Sequence, residues 1–197
     1  MSYNALSKYR STHSGVTLVE LMVTIAVASI LLTVAVPSFQ DAIQRNRLTS
    51  ATNNFVVSIH YARTEAIKRG QNVTLCKSSS GTSCATGTGT FWENGWIAFV
   101  DTDADGTLDT GETLLRAWPS LPTGYTLRPN NNFANFLRYN PRGEANNIGN
   151  FAVCYNNQLV GSKVVVITRL RPWLGMDQDG DRIPENKDGE ISSCTNP

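Results

Sequence analysis

The sequence predicts an α+β protein: one long N-terminal helix, membrane-spanning over its first half, packed on an antiparallel β-sheet domain that carries disulfides. Three observations predict it. Residues 16–36 form an apolar run of 21 residues with Glu20 as the single ionisable side chain, residues 37–70 place apolar side chains at helical spacing, and from Asn72 onward short β-rich runs alternate with Gly, Asn, Asp and Pro. A length of 197 residues suits one domain with appendages. With 17 Lys+Arg against 16 Asp+Glu the net charge is +1, so bulk electrostatics singles out neither nucleic acid nor an anionic membrane as a partner. The two histidines, His13 and His60, stand far apart and leave little material for metal sites or histidine-dependent catalysis.

The run from Val16 to Val36 just covers a bilayer's hydrocarbon core at helical rise. Lys8 and Arg10 precede it and hold that end in the cytoplasm, which places the rest of the chain outside. A cleaved secretory signal, cut near Ala28, competes with this reading, but the apolar run continues past Ala28 through Ile30, Leu31 and Leu32. A carboxylate inside such a run is costly unless it lies near an interface or has a partner, so Glu20 needs a functional reason.

Gly15 followed by Val16-Thr17-Leu18-Val19-Glu20 and an apolar helix is similar to the class III signal of type IV pilins and pseudopilins, whose usual form is GFTLIE. Val16 stands where that form has Phe. The resemblance implies that residues 1–15 are a leader, that an inner-membrane prepilin peptidase cuts between Gly15 and Val16, and that Val16 becomes the N-methylated first residue. Glu20 then lies four residues from a new amino terminus, whose positive charge it can pair with on its own or a neighbouring subunit. The implied partners are other pilins or pseudopilins, the peptidase and the inner membrane. The implied location is a single-pass inner-membrane precursor with a periplasmic C-terminal domain, later in a pilus or pseudopilus.

After residues 16–36, the transmembrane and assembly half, residues 37–70 form the amphipathic second half of the helix. Pro37 lacks an amide donor, so a kink or local melting is expected there, or else a simple end to the membrane helix. Ile43, Leu48, Ala51, Phe55, Ile59, Ala62, Ala66 and Ile67 make the apolar stripe, and Gly70 ends it. Residues 71–172 form the periplasmic sheet domain, with strands expected at Val73 to Cys76, Trp96 to Val100, Thr113 to Trp118, Tyr125 to Arg128, Phe136 to Tyr139, Phe151 to Tyr155 and Val164 to Leu170. Four cysteines outside the cytoplasm favour disulfides over metal thiolates. Locality favours Cys76 with Cys84, which leaves Cys154 with Cys194. Residues 173–197 are then an acidic, partly disordered tail tethered by Cys194.

Cys76, Cys84, the run Gly95-Trp96-Ile97-Ala98-Phe99-Val100-Asp101, the acidic turn after it and Gly111-Glu112 resemble the GspH/FimT group of minor pilins and pseudopilins. That resemblance implies the type IV pilin fold. It also implies a minor pilin of the pilus or its initiating or tip complex, with a type II secretion pseudopilin as the alternative. Thr168-Arg169-Leu170-Arg171 resembles the GRxR segment of DNA-binding members, with Lys163, Arg138 and Arg142 able to extend the patch and Trp173 able to stack on a base.

Two acidic runs match calcium-loop patterns. Asp101, Asp103, Asp105, Gly106, Asp109 and Glu112 fit D-x-D-x-D-G-x(5)-E, but the flanking runs read as strands where an EF-hand needs helices, so a solvated hairpin turn is preferred over structural calcium. Asp177, Asp179 and Asp181 are a second such run, preferred as a polar tail. No nucleotide-binding glycine loop or nucleophile elbow occurs, and neither a catalytic residue, a metal ligand nor a cofactor is assigned.

Overall fold

The computed structural model describes residues 15–197; residues 1–14, with Lys8 and Arg10, lie outside the described residues. Helix α1 runs from Leu18 to Arg69. Thr17 begins it: its hydroxyl accepts the Glu20 amide at 3.2 Å, the N-cap bond that satisfies one of the donors the first turn leaves free. Its end is set at Gly70, whose amide returns to the Ala66 carbonyl at 3.0 Å, with Glu65 clasping Arg69 at 2.6 Å in the last turn. Helical backbone continues through Pro37, so neither a melted turn nor a stop occurs there; the residue's missing amide leaves the Thr33 carbonyl without its i+4 donor.

The chain divides into two units, Met1–Ala42 and Ile43–Pro197, and α1 contributes to both. In the second unit, strands β1 (Val73–Lys77), β2 (Trp96–Val100), β3 (Leu114–Trp118) and β5 (Phe136–Tyr139) form one antiparallel sheet in the order β3-β2-β1-β5. A second antiparallel sheet has the order β4-β6-β7-β8, from β4 (Tyr125–Pro129), β6 (Gly149–Tyr155), β7 (Gln158–Ile167) and β8 (Pro172–Leu174). Two short strands, β9 (Glu185–Asn186) and β10 (Gly189–Glu190), pair within the tail.

One core joins the helix to both sheets. Leu48, Ala51, Phe55, Ile59, Ala62 and Ala66 of α1 are buried with Val73 and Leu75 of β1, Leu137 of β5, Leu127 of β4, Phe151 and Val153 of β6 and Val165 and Ile167 of β7. Phe55 sits at its centre, with ring centroids 4.7 Å from Phe151, 5.5 Å from Trp96 and 5.8 Å from Trp92. Such edge and tilted contacts suit the aromatic quadrupole. Ile43 and Ile67, placed in the stripe by spacing, are about half exposed: a one-sided contact with sheets admits a narrower arc than eight positions supply.

The reverse faces are covered too, which is why β1, β2 and most of β6 are buried at every position. Cys76, Ile97 and Phe99 on the far side of the first sheet pack with Cys84, Leu108 and Phe136. The Ser- and Gly-rich stretch after β1 is tied down by the Cys76–Cys84 disulfide and by the Lys77 ammonium donating to the Gly87 carbonyl at 2.6 Å. Gly95, entering β2, has a positive φ of 116° and no room for a Cβ, which would meet the Ser78 and Trp118 carbonyl oxygens at 2.8 and 2.9 Å.

The far side of the second sheet corrects the expectation of a loose tail and its boundary at 172. Ala152, Cys154, Val164 and Val166 form an apolar face that Ile191 and Cys194 cover, with Trp173 and Ile183 packed beside them, and the second disulfide joins Cys154 to Cys194. A few apolar side chains in an acidic segment suffice, because the face they cover would otherwise meet water.

Two outcomes follow for the full chain unfolded by denaturant in detergent. Phe55→Ala lowers stability by about 3–5 kcal/mol, as removal of a core aromatic does. Cys154→Ser with Cys194→Ser frees a long loop, costs up to about 4 kcal/mol on loop-entropy grounds, and opens the tail to proteolysis before the rest of the domain.

Candidate functional site

The first functional element is the helix as it leaves Thr17. Val16, Leu18, Val19, Met22, Ile30 and Val34 are each more than 60% exposed, a density of bare apolar surface that water does not tolerate. The polar side chains among them are satisfied within the helix: Thr24 donates to Leu21, Ser29 to Ile25 and Thr33 to Ile30, each at 2.7–2.8 Å to a backbone carbonyl. Internal satisfaction of every polar group is what a hydrocarbon environment demands. Glu20 is the exception. It lies in the first turn, where free amides favour a negative charge, yet among the described residues no donor reaches its carboxylate. Gly15 and Val16 precede the helix outside any named element.

The arginine pair falls differently from the expectation. Strand β7 ends at Ile167, so Arg169 and Arg171 lie in the turn to β8 and share no strand face. Thr168 builds that turn: its hydroxyl donates to the Arg171 carbonyl at 2.7 Å and accepts the Arg171 amide at 3.2 Å. A side chain that closes a local ring in this way competes with the ladder, which is why the strand stops short of Leu170. Both arginines are exposed, and neither forms an ion pair among the described residues. The Arg169 carbonyl accepts the Ala145 amide at 2.9 Å, which docks the 140–145 turn carrying Arg142 beside them.

Lys163, Arg138 and Trp173 do not join this group. Lys163 lies about 13 Å before the end of β7 by strand rise, in a groove lined also by Arg45, Arg182 and Asp177. Arg138 is engaged elsewhere: it lies 3.5 Å from Asp101, donates to the Ala104 carbonyl and covers the Phe136 ring. Trp173 is half-buried and packs against the apolar cluster behind the second sheet.

The acidic run after β2 closes a β2–β3 hairpin, as the flanking strands suggest. Its first residue departs from expectation, because Asp101 is fully buried. The Asp101 amide donates to the Asn72 carbonyl at 3.0 Å and extends the β1–β2 ladder, which sets the carboxylate where the Thr74 hydroxyl donates to Oδ2 at 2.5 Å. Sequence reasoning missed Thr74 and Arg138 as its partners, since only strand register brings them there. Glu112 reaches back across the loop and accepts the Thr102 amide at 2.6 Å and the Asp109 amide at 3.1 Å. Asp109 is held above the ordinary carboxylate range, chiefly by the charge of Asp105, with Asp103, Glu112 and Asp101 adding to it.

In the tail, carboxylate oxygens of Asp177, Asp179 and Glu185 lie within 4.8 Å of one another, as do those of Asp179, Asp181 and Glu190. Backbone amides occupy several of them: Asp177 accepts those of Gly180 and Arg182, and Glu185 accepts that of Gln178. Glu190 is raised above its ordinary value, first by Asp181.

The family described as type II transport protein GspH matches residues 51–170, and the prokaryotic N-terminal methylation motif matches residues 10–36. No curated protein matches the chain. Among solved structures it is similar to the type IV minor pilin FimU of Pseudomonas aeruginosa PAO1 in two crystal forms. In space group P21 the TM-score is 0.55 at 19% identity, covering 77% of this chain and 97% of that one. In P65 the TM-score is 0.50 at 19% identity, covering 74% and 98%.

Proposed function

This chain belongs to the GspH family, and we propose that it acts as a minor type IV pilin, cut by prepilin peptidase between Gly15 and Val16, N-methylated at Val16, and packed through α1 into a pilus or its initiating or tip complex. Family and fold alike are those of structural pilins, and the methylation motif with its apolar helix fits a membrane-anchored one. The pilin family implies assembly with other pilins or pseudopilins. In this reading the chain waits in the inner membrane with Ile43–Pro197 in the periplasm.

The single observation that carries the proposal is Glu20, an ionisable group with no donor among the described residues, on a helix whose neighbouring side chains are apolar and exposed. A carboxylate at that depth costs on the order of 2–3 kcal/mol until it meets a positive charge. The amine released at Val16 supplies one four residues away, on the same or an adjacent subunit. Burial among packed helices strengthens that pairing. Pro37 contributes by weakening the helix one backbone bond above the membrane half, where a kink accommodates packing against neighbours.

Two other readings have an observation each in their favour. The family's own description names type II transport, which favours a pseudopilin of a secretion system built on the same helix and processing. Arg169 and Arg171, exposed and without an ion pair among the described residues, favour a DNA-receptor role with Arg142 beside them.

Glu20→Ala is expected to leave leader cleavage intact, seen as an unchanged gel shift, while recovery of the subunit in sheared filaments falls roughly tenfold, the equivalent of one lost charge-assisted pairing. Undiminished recovery would count against the pairing. For the DNA reading, the full chain in detergent should bind duplex more weakly as salt rises, and Arg169→Ala with Arg171→Ala should reduce the slope of log K against log salt by about 2. No binding at low salt returns the arginines to the turn's structure or to a subunit contact.

A further inference from the structure

The geometry points to a calcium site in the loop from Asp101 to Glu112, held by the carboxylates of Asp101, Asp103, Asp105, Asp109 and Glu112. The deciding observation is the state of Asp101. It is fully buried, with Oδ2 taken by the Thr74 hydroxyl at 2.5 Å and faced by Arg138 at 3.5 Å, while Oδ1, also buried, has no hydrogen-bond partner among the described residues. A buried anionic oxygen without a donor is expensive, and a bound cation removes that cost.

The surroundings supply the remaining ligands. One carboxylate oxygen each from Asp101, Asp103 and Glu112 lie within 4.8 Å of one another, and so does one each from Asp103, Asp105 and Asp109, so that Asp103 belongs to two adjoining sets. Five carboxylates are met by a single ion pair among the described residues, that of Arg138 with Asp101.

The donor set selects the metal. Oxygen alone is offered, without the nitrogen or sulfur ligands that suit zinc or copper. Calcium tolerates irregular clusters of carboxylates on a loop, whereas magnesium demands near-octahedral geometry and keeps much of its water. The spacing of one, three, five, nine and twelve is that of an EF-hand loop, but here β2 and β3 fix the loop's ends in place of two helices. Gly106, at the sixth position, has a φ of +86°, and a Cβ there would lie 2.4 Å from the Phe136 ring. Leu108, at the eighth, packs with the cluster of Cys76, Ile97 and Phe99 and pins the middle of the loop to the sheet. The tail's acidic loop lacks the deciding feature: its clustered carboxylates all belong to exposed or half-buried residues. This site is independent of the filament reading.

The test is calorimetric titration of the chelator-treated full chain in detergent with calcium chloride, with magnesium chloride as control, followed by thermal melts. Affinity in the range of about 0.1–1 mM, that of extracellular calcium modules, gives saturable heat and a Tm raised by about 3 °C at about 5 mM calcium. Asp103→Asn with Asp109→Asn alters two exposed residues and should abolish both responses while circular dichroism stays that of the parent. Asp177→Asn with Asp179→Asn should retain both. The proposal is overturned if the folded parent shows neither heat nor shift at that concentration, if the Asp103/Asp109 variant responds as the parent does, or if only the Asp177/Asp179 variant loses the response.

Discussion

Burial of one stripe of α1 is the constraint on which the folded unit depends. Both sheets present their apolar inner faces to Leu48, Ala51, Phe55, Ile59, Ala62 and Ala66, and Trp92 and Phe133 from short turns complete the same core. The small residues at 51, 62 and 66 let the strands approach, and Phe55 fills the space between the sheets where Trp92, Trp96 and Phe151 converge. Two independent sheets therefore behave as one body because they share a helix face. The same helix carries, toward its N-terminus, exposed apolar side chains suited to a different solvent.

Much of this was readable in the sequence. The apolar run with one carboxylate and the end of α1 at Gly70 follow from hydropathy and capping chemistry. Strands β2 and β5 fall where alternation and turn residues put them. The two cysteine pairs are joined as locality suggested, and the hairpin around the acidic loop follows from the strands on either side.

What escaped the sequence depended on contacts distant along the chain. Burial of Asp101 arises from the pairing of Val73 with Val100, which carries Thr74 to its side, and no local pattern announces it. The tail looked too charged to order itself, yet Trp173, Ile183 and Ile191 meet an apolar sheet face that only the β6–β7 pairing creates. Strand β7 was expected to reach Leu170; the Thr168 hydroxyl turned the chain first and moved the arginines off the sheet. Lys163 and Arg138 looked like neighbours of those arginines by charge alone, and the register sends each to a different part of the surface.

The central claim is that the apolar half of α1 is retained as an assembly helix in a mature chain that begins at Val16. Intact-mass analysis of the chain isolated from the cell envelope tests it most directly. The account predicts one species starting at Val16 and heavier by a single methyl group. A chain still beginning at Met1, or one shortened to a cut near Ala28, would contradict it.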